Sequence, residues 1–418
     1  MTQLPLFDDP NPLETVPFSP TRTAGLARLD HFAPRMGKTY SSQRNYDFGP
    51  AQRGNVSALS PWIRHRLVTE REVLAATLAR HAPSSAEKFI QEVFWRAYFN
   101  GWLEHRPSIW TSYCTERDHH MRMLDKDGDL RARLTCAEAG ETGIDGFDAW
   151  AQELVGTGYL HNHARMWFAS IWIFTLKLPW QLGADFFLRH LLDGDPASNT
   201  LSWRWVAGLH TVGKNYAART ANIAKYTGER FRPTHQLESA PVPLDGPPHP
   251  QPVPPSGGDP LPNAPFVVLV TEDECAPLDL LSDTGHVAAV LGLTCTKDRS
   301  PRAVGDLADA FAAGAVADGC ARVVAQTGVS HLTADQEDWT AALCHAAEQA
   351  GVGAIVTGYA PTGPVAQRLA QAKSALGERG LSLHQVQRDY DAQAWPHCTK
   401  GFFKLKQKIP QLLKALAL

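Results

Sequence analysis

A chain of 418 residues is long for one ordinary domain and suits two or three. With 44% hydrophobic residues, 20% charged residues and a formal net charge of -3, it reads as soluble and globular; no bulk positive field advertises nucleic acid, so any DNA contact would need a local basic patch. The seven cysteines are scattered, odd in number and without CxxC spacing, which fits reduced thiols and argues against zinc or iron–sulfur chemistry.

The opening MTQLPLFDDPNPLETVPF carries acids and prolines where a signal peptide needs basic and then apolar residues, so a cytoplasmic protein is expected. Helices are predicted over TEREVLAATLARH, SSAEKFIQEVFWRAYFNGWLEH, FDAWAQELVGTG, HNHARMWFASIWIFTLK and GADFFLRHLLDG. Ser84 or Ser85 is placed as the cap of the second, with Glu87 in its first turn and Phe89, Val93 and Phe94 on its apolar face. MWFASIWIFTLKLPW is the longest apolar run, but Lys177 and Pro179 break it, and it reads as a buried helix rather than a membrane span. Residues 1–240 thus form an all-α domain, and the proline-dense stretch 241–265 reads as an extended, solvated linker. In 266–418 the short apolar runs FVVLVT, HVAAVLGL, RVVAQT, GAIVTG and LSLHQV alternate with helical segments, the signature of an α/β doubly wound parallel sheet. No GxGxxG follows the first strand. The basic amphipathic end WPHCTKGFFKLKQKIPQLLKALAL reads as a plain terminal helix, with docking on the helical domain or contact with DNA as alternatives.

The stretch HLLDGDPASNTLSWRWVAG places Asp193 and Asp195, costly to bury, beside Trp203 and Trp205, costly to expose. By itself this could be a helix end followed by packed tryptophans. Its company favours function. Arg165 in HNHARM can pair with a buried carboxylate through two parallel hydrogen bonds, and Asn199 supplies a neutral donor or acceptor of the kind a redox ring needs.

GYLHNHARMWFAS, LPWQLG, DGDPASN and WRW follow one another in an order and spacing that resemble the FAD-binding domain of the cryptochrome/photolyase family. Upstream, FIQEVFWRAYF, GNVSALSPW and YSSQR resemble further family segments, so the likeness covers roughly residues 40–232; GKNYAARTANIAKYTGERF departs from the family's usual tail. The resemblance implies that Tyr40, Ser57, Leu59 and Ser60 hold the FAD pyrophosphate, with Val56 where the family has Thr. It implies that Arg96, Asn162 and Arg165 line the flavin, that Asp193 pairs with Arg165, that Asp195 lies along the flavin edge, and that Asn199 faces N5. Trp203 and Trp180 match the first two members of a photoreduction chain; for the third, Trp150, Trp172 or a tyrosine would substitute, or the chain would be short.

In repairing members of the family, Glu92, Trp95, Met166 and Trp205 match residues around a flipped pyrimidine dimer, and His163 stands where those members carry Arg. Without the resemblance, Glu92 would read as a surface acid and Trp95 as a core aromatic. Ala97 replaces a family Glu, and Arg64, His65 and Arg66 read as a solvated helix face or a basic patch. The expected function is light-driven repair of pyrimidine dimers in DNA, with FAD as cofactor; a blue-light photoreceptor acting on a signalling protein partner is the second reading, and a helical protein without flavin the third. The α/β unit would be a displaced antenna domain, with any pigment, of unidentified kind, beyond the strand C-termini.

Overall fold

The structure is a computed structural model that describes residues 18–281 and 283–418, so the opening segment read against a signal peptide lies largely outside the described residues. The helical part runs α1 (Arg22–Phe32), α2 (Lys38–Gln43), α3 (Ser60–Arg64), α4 (Glu70–Leu78), α5 (Glu87–Glu104), α6 (Ser108–Leu124), α7 (Gly128–Ala139), α8 (Phe147–Thr157), α9 (Asn162–Ser170), α10 (Trp180–His190), α11 (Pro196–Val206) and α12 (Thr220–Tyr226). All five predicted helices are present. On α5, Phe89, Ile90, Val93, Phe94 and Ala97 are buried at helical spacing. Neither Ser84 nor Ser85 caps it. The preceding turn, with Ser85 N–H and Ala86 N–H both donating to Ala82 O, runs straight into the helix, and Ala86 takes the cap position.

The HNHARM helix changes pitch after Ser170: Ile171–Thr175 form a π-helical turn, and the chain leaves at Lys177, whose φ is 52°. This turn sets Trp172 edge-on against Trp203 at 6.1 Å, with Trp172 Nε1 donating to Pro179 O at 2.9 Å. Gly183 on α10 makes the packing feasible, because a Cβ there would lie 2.3 Å from Trp203.

The second part is a five-stranded sheet, wholly parallel, in the order β3-β2-β1-β4-β5: β1 (Phe266–Thr271), β2 (Val287–Leu293), β3 (Ser330–Leu332), β4 (Ala354–Gly358) and β5 (Ser382–Val386). The helices α13 (Asp306–Thr327), α14 (Trp339–Ala350) and α15 (Pro364–Glu378) connect the later strands; α16 (Asp389–Ala394), α17 (Phe402–Lys406) and α18 (Ile409–Ala415) end the chain. β1 is buried throughout. Val267 and Leu269 pack toward Trp339, Leu343 and Leu369, whereas Phe266, Val268 and Val270 join the core shared with the helical part.

Four of the five predicted strands form. RVVAQT does not: it is the last turn and a half of α13, where Val316, Cys320 and Val323 continue a buried helical stripe until Gly328 ends it at φ 74°. The proline-rich stretch is extended, without a regular element and largely exposed, as expected, and a few hydrogen bonds tether it to the helical part. Leu244 N–H donates to Ala207 O, Val253 N–H to His105 O, and Arg106 Nε to Pro250 O. Arg64, His65 and Arg66 form neither a solvated face nor a basic patch. All three are buried between the two parts of the chain.

Candidate cofactor and substrate site

One cavity of about 830 Å³ runs between α5, α9 and α11, with an adjoining arm of about 200 Å³ beneath the 56–60 turn. The turn needs Ala58 in the left-handed region, φ 49°, and is braced from below by Arg28, whose Nε donates to Ser57 O at 2.7 Å. It presents Ser57 and Ser60 to both spaces, together with Tyr40 and Arg44; Leu59 and Val56 face only the arm. Hydroxyls, backbone N–H groups and a guanidinium gathered at one end suit a phosphate-bearing ligand.

The acids of DGD sit at the waist of this space. Arg165 grips Asp193 with both terminal nitrogens, at 3.0 and 2.8 Å, while its Nε donates to Leu160 O. Asp195 caps α11 by accepting from Ser198 N–H at 2.7 Å and pairs with Arg96, which also reaches Glu70 at 3.0 Å. Burial alone would raise the Asp195 carboxyl; Arg96 and Arg64 beside it hold it at about 2. Asn199 spends its amide N–H on Ala184 O at 2.7 Å, which leaves Oδ1 as an acceptor. Trp203 closes the wall, buried, with an indole N–H that finds no acceptor among the described residues.

Glu92, Trp95, Asn162, His163, Met166 and Trp205 line the same cavity. Glu92 pairs with Arg44 and is about a third exposed, at 32%; burial raises its carboxyl above the ordinary value against the pull of Arg44. Burial lowers His163 to about 4, with Arg44 adding repulsion, so its imidazole is neutral near pH 7. Trp180 was expected as the second member of the electron chain, not as cavity lining. It lies outside the cavity, stacked on Tyr113 at 5.7 Å, and the indole in ring contact with Trp203 is Trp172.

Residues not anticipated from the sequence also line the cavity. Phe402 stacks on Trp95 at 3.8 Å and 12°, and Thr399, Lys400 and Gly401 line the same edge. The terminal segment therefore docks on α5, anchored by buried Leu405 and by Lys406 on Glu87 at 3.1 Å. Tyr98 reaches His210 at 3.0 Å at the far end. Docking on the helical domain, the alternative to a plain terminal helix, is thus what forms, although the amphipathic pattern does not name Trp95 as the contact.

The residues fit FAD: a donor-rich arm for the pyrophosphate, an acid–guanidinium waist, and an acceptor with indoles where a flat ring would lie. Among the described residues no cluster of metal-ligating side chains occurs, and no helix is long and apolar enough to cross a membrane.

His161 supplies a pH-dependent brace. As the cap of α9 its Nδ1 accepts from His163 N–H at 3.1 Å, while Nε2 donates to Arg44 O at 3.0 Å, an arrangement that requires the neutral ring. Burial lowers it to about 4. Below about 6.5 the unfolded chain binds a proton that the folded chain refuses, so stability falls on acidification, by about 1.4 kcal/mol per pH unit for this group. Urea midpoints are expected to drop between pH 6.5 and 5, and less so in His161→Asn. Equal slopes in parent and variant would contradict the assignment.

A helical domain with a deep cavity of this composition suits a flat, phosphate-bearing cofactor. Residues 89–237 match the FAD-binding domain of DNA photolyase. The chain carries that domain of the photolyase/cryptochrome family, followed from residue 266 by the α/β sheet. A deoxyribodipyrimidine photo-lyase of Synechococcus is 33% identical over 201 residues, 46% of this chain and 39% of the relative. That of Escherichia coli is 28% identical over 209 residues, 49% of this chain and 42% of the relative. Among solved structures, a class III photolyase of Agrobacterium tumefaciens is similar at 28% identity over 50% of this chain and 43% of its own, TM-score 0.40. A Synechocystis cryptochrome is similar at 24% identity over 51% and 44%, TM-score 0.42. The chain thus spans about two fifths of the length of the curated relatives it matches.

Proposed function

We propose that this protein binds FAD in the cavity and uses blue light to split cyclobutane pyrimidine dimers in DNA. The observation that carries the reading is the convergence, on one cavity, of the Arg165–Asp193 pair and Asn199 with Glu92, Trp95, Met166 and Trp205 at its edge. The matched relatives' name, deoxyribodipyrimidine photo-lyase, agrees with it. Bound FAD, when reduced and excited, supplies a single electron. The chain's own residues hold the substrate. Glu92, when it releases Arg44 and takes up a proton, donates to a pyrimidine carbonyl; Trp95, backed by Phe402, offers a face for a base; the buried cavity excludes water from the flipped nucleotide. Trp203 and Trp172, edge to face, provide adjacent indoles for electron hopping. In this reading residues 1–240 are the catalytic unit and 241–265 tie it to the α/β unit.

The neutral His163, where repairing members carry a fixed positive charge, favours the second reading: a photoreceptor that signals to a protein partner. Illumination of purified protein with a reductant and an ultraviolet-irradiated oligonucleotide separates the two. Repair is expected, with lesion affinity that falls steeply with salt. Photoreduction without repair would move the protein to the sensor class.

A further inference from the structure

The backbone of the DGD loop is held from behind by Arg64 and His65 of the helical part and by Arg299 of the α/β part. Leu191 O accepts from Arg299 Nη1 at 3.4 Å, and Gly194 O accepts from Arg64 Nε at 3.1 Å. The His65 ring lies between Leu192 O and Glu272 O, its nitrogens at 3.1 and 2.6 Å, and as the neutral ring that burial enforces it donates to one of them. Each of these three side chains is itself fixed by the acidic run that ends β1. Arg299 reaches Glu272 at 3.0 Å, His65 meets the Glu272 carbonyl, and Arg64 reaches Asp273 at 2.6 Å. Gly194 packs closely here: a Cβ would lie 2.9 Å from Arg299 Nη1 and 3.0 Å from Leu188 O and Leu191 O.

A second arm leads to the Asp195 side chain. Glu274 binds Arg388 through two bonds of 2.7 Å and meets Arg66 at 3.3 Å. Arg66 lies 3.9 Å from Glu70; Glu70 binds Arg96; Arg96 pairs with Asp195. Glu274 packs against Gly358 at the end of β4, where a Cβ would meet its side chain at 2.3 Å. The β1/β4 boundary, the usual ligand crevice of a doubly wound sheet, is therefore taken up by this brace.

We propose that Glu272, Asp273 and Glu274 are positioning residues for the cofactor site: the α/β domain sets the placement of loop 191–195, and with it the two acids that face the ligand. The inference rests on the flavin reading of the cavity. It assigns the α/β unit a task in this chain that requires no pigment of its own. Ion pairs buried this deeply are costly to desolvate and are kept where geometry matters more than net stability.

The test is the double variant Glu272→Gln with Arg299→Met. Replacing a buried pair by neutral groups is often tolerated in folding, whereas removing one partner is not. The variant is expected to melt near the parent, to release FAD about tenfold faster by flavin fluorescence, and, at saturating FAD, to photoreduce about twofold or more slowly per absorbed photon. The last readout separates positioning from mere weakening of the fold. Should the double variant melt far below the parent, Glu272→Asp, which keeps the charge and shortens its reach, is measured the same way and is expected to show the same losses. FAD release and photoreduction equal to the parent's in a folded variant overturn the proposal and leave the flavin reading intact. A parent that binds no FAD overturns both.

Discussion

Arg165→Ala is expected to abolish FAD retention during purification and to destabilise the protein by roughly 2–4 kcal/mol, since it leaves a buried carboxylate without its partner. Asp193 is nearly inaccessible, and both of its oxygens are committed to Arg165, which is itself about three quarters covered. Two consequences can be separated. Arg165→Met combined with Asp193→Leu removes both charges, so much of the lost stability should return while FAD binding does not. Denaturant unfolding and the flavin absorbance of the purified proteins are the measurements. A single variant that keeps its flavin would show that the waist of the cavity does not hold the cofactor.

Glu92→Gln is expected to slow dimer splitting by roughly ten- to a hundredfold while leaving FAD bound, the size of one hydrogen bond involving a charged group. The amide keeps the shape of the side chain and can still donate an N–H to a pyrimidine carbonyl, but it can neither pass an acidic proton to it nor hold Arg44 as an ion pair. Single-turnover repair under blue light, with flavin content measured on the same sample, decides the matter. An unchanged rate would remove Glu92 from the substrate site. An equal loss of flavin would make it a structural residue of the cofactor arm instead.

The chemistry of the cavity was legible locally because it rests on short, ordered motifs. Arg165 and Asp193 lie on either side of a helical hairpin, α9 and α10, and their complementary forks need only those two helices to pack. Asp195 was expected along the flavin edge, and the structure adds a second role, since its carboxylate accepts from Ser198 N–H as the cap of α11. The parallel sheet was visible in β1 and β4, whose unbroken apolar runs have no other use than burial on both faces. RVVAQT misled for the same reason in reverse: β-branched composition is a weak preference, and the buried stripe along α13 overrode it.

By itself, the sequence determined the helical-then-α/β order and most of the apolar strands, because these depend on periodicity within a few tens of residues, while the side chains that line the cavity were named through the family resemblance. Only the tertiary structure decided that Arg64, His65 and Arg66 are an interior clamp, that Phe402 backs Trp95, and that Trp172 rather than Trp180 touches Trp203. A basic triplet has the same composition whether it meets water or Glu272, Asp273 and Glu274. The partners stand some two hundred residues apart, and only the docking of the sheet on the helical domain brings opposite charges together out of solvent.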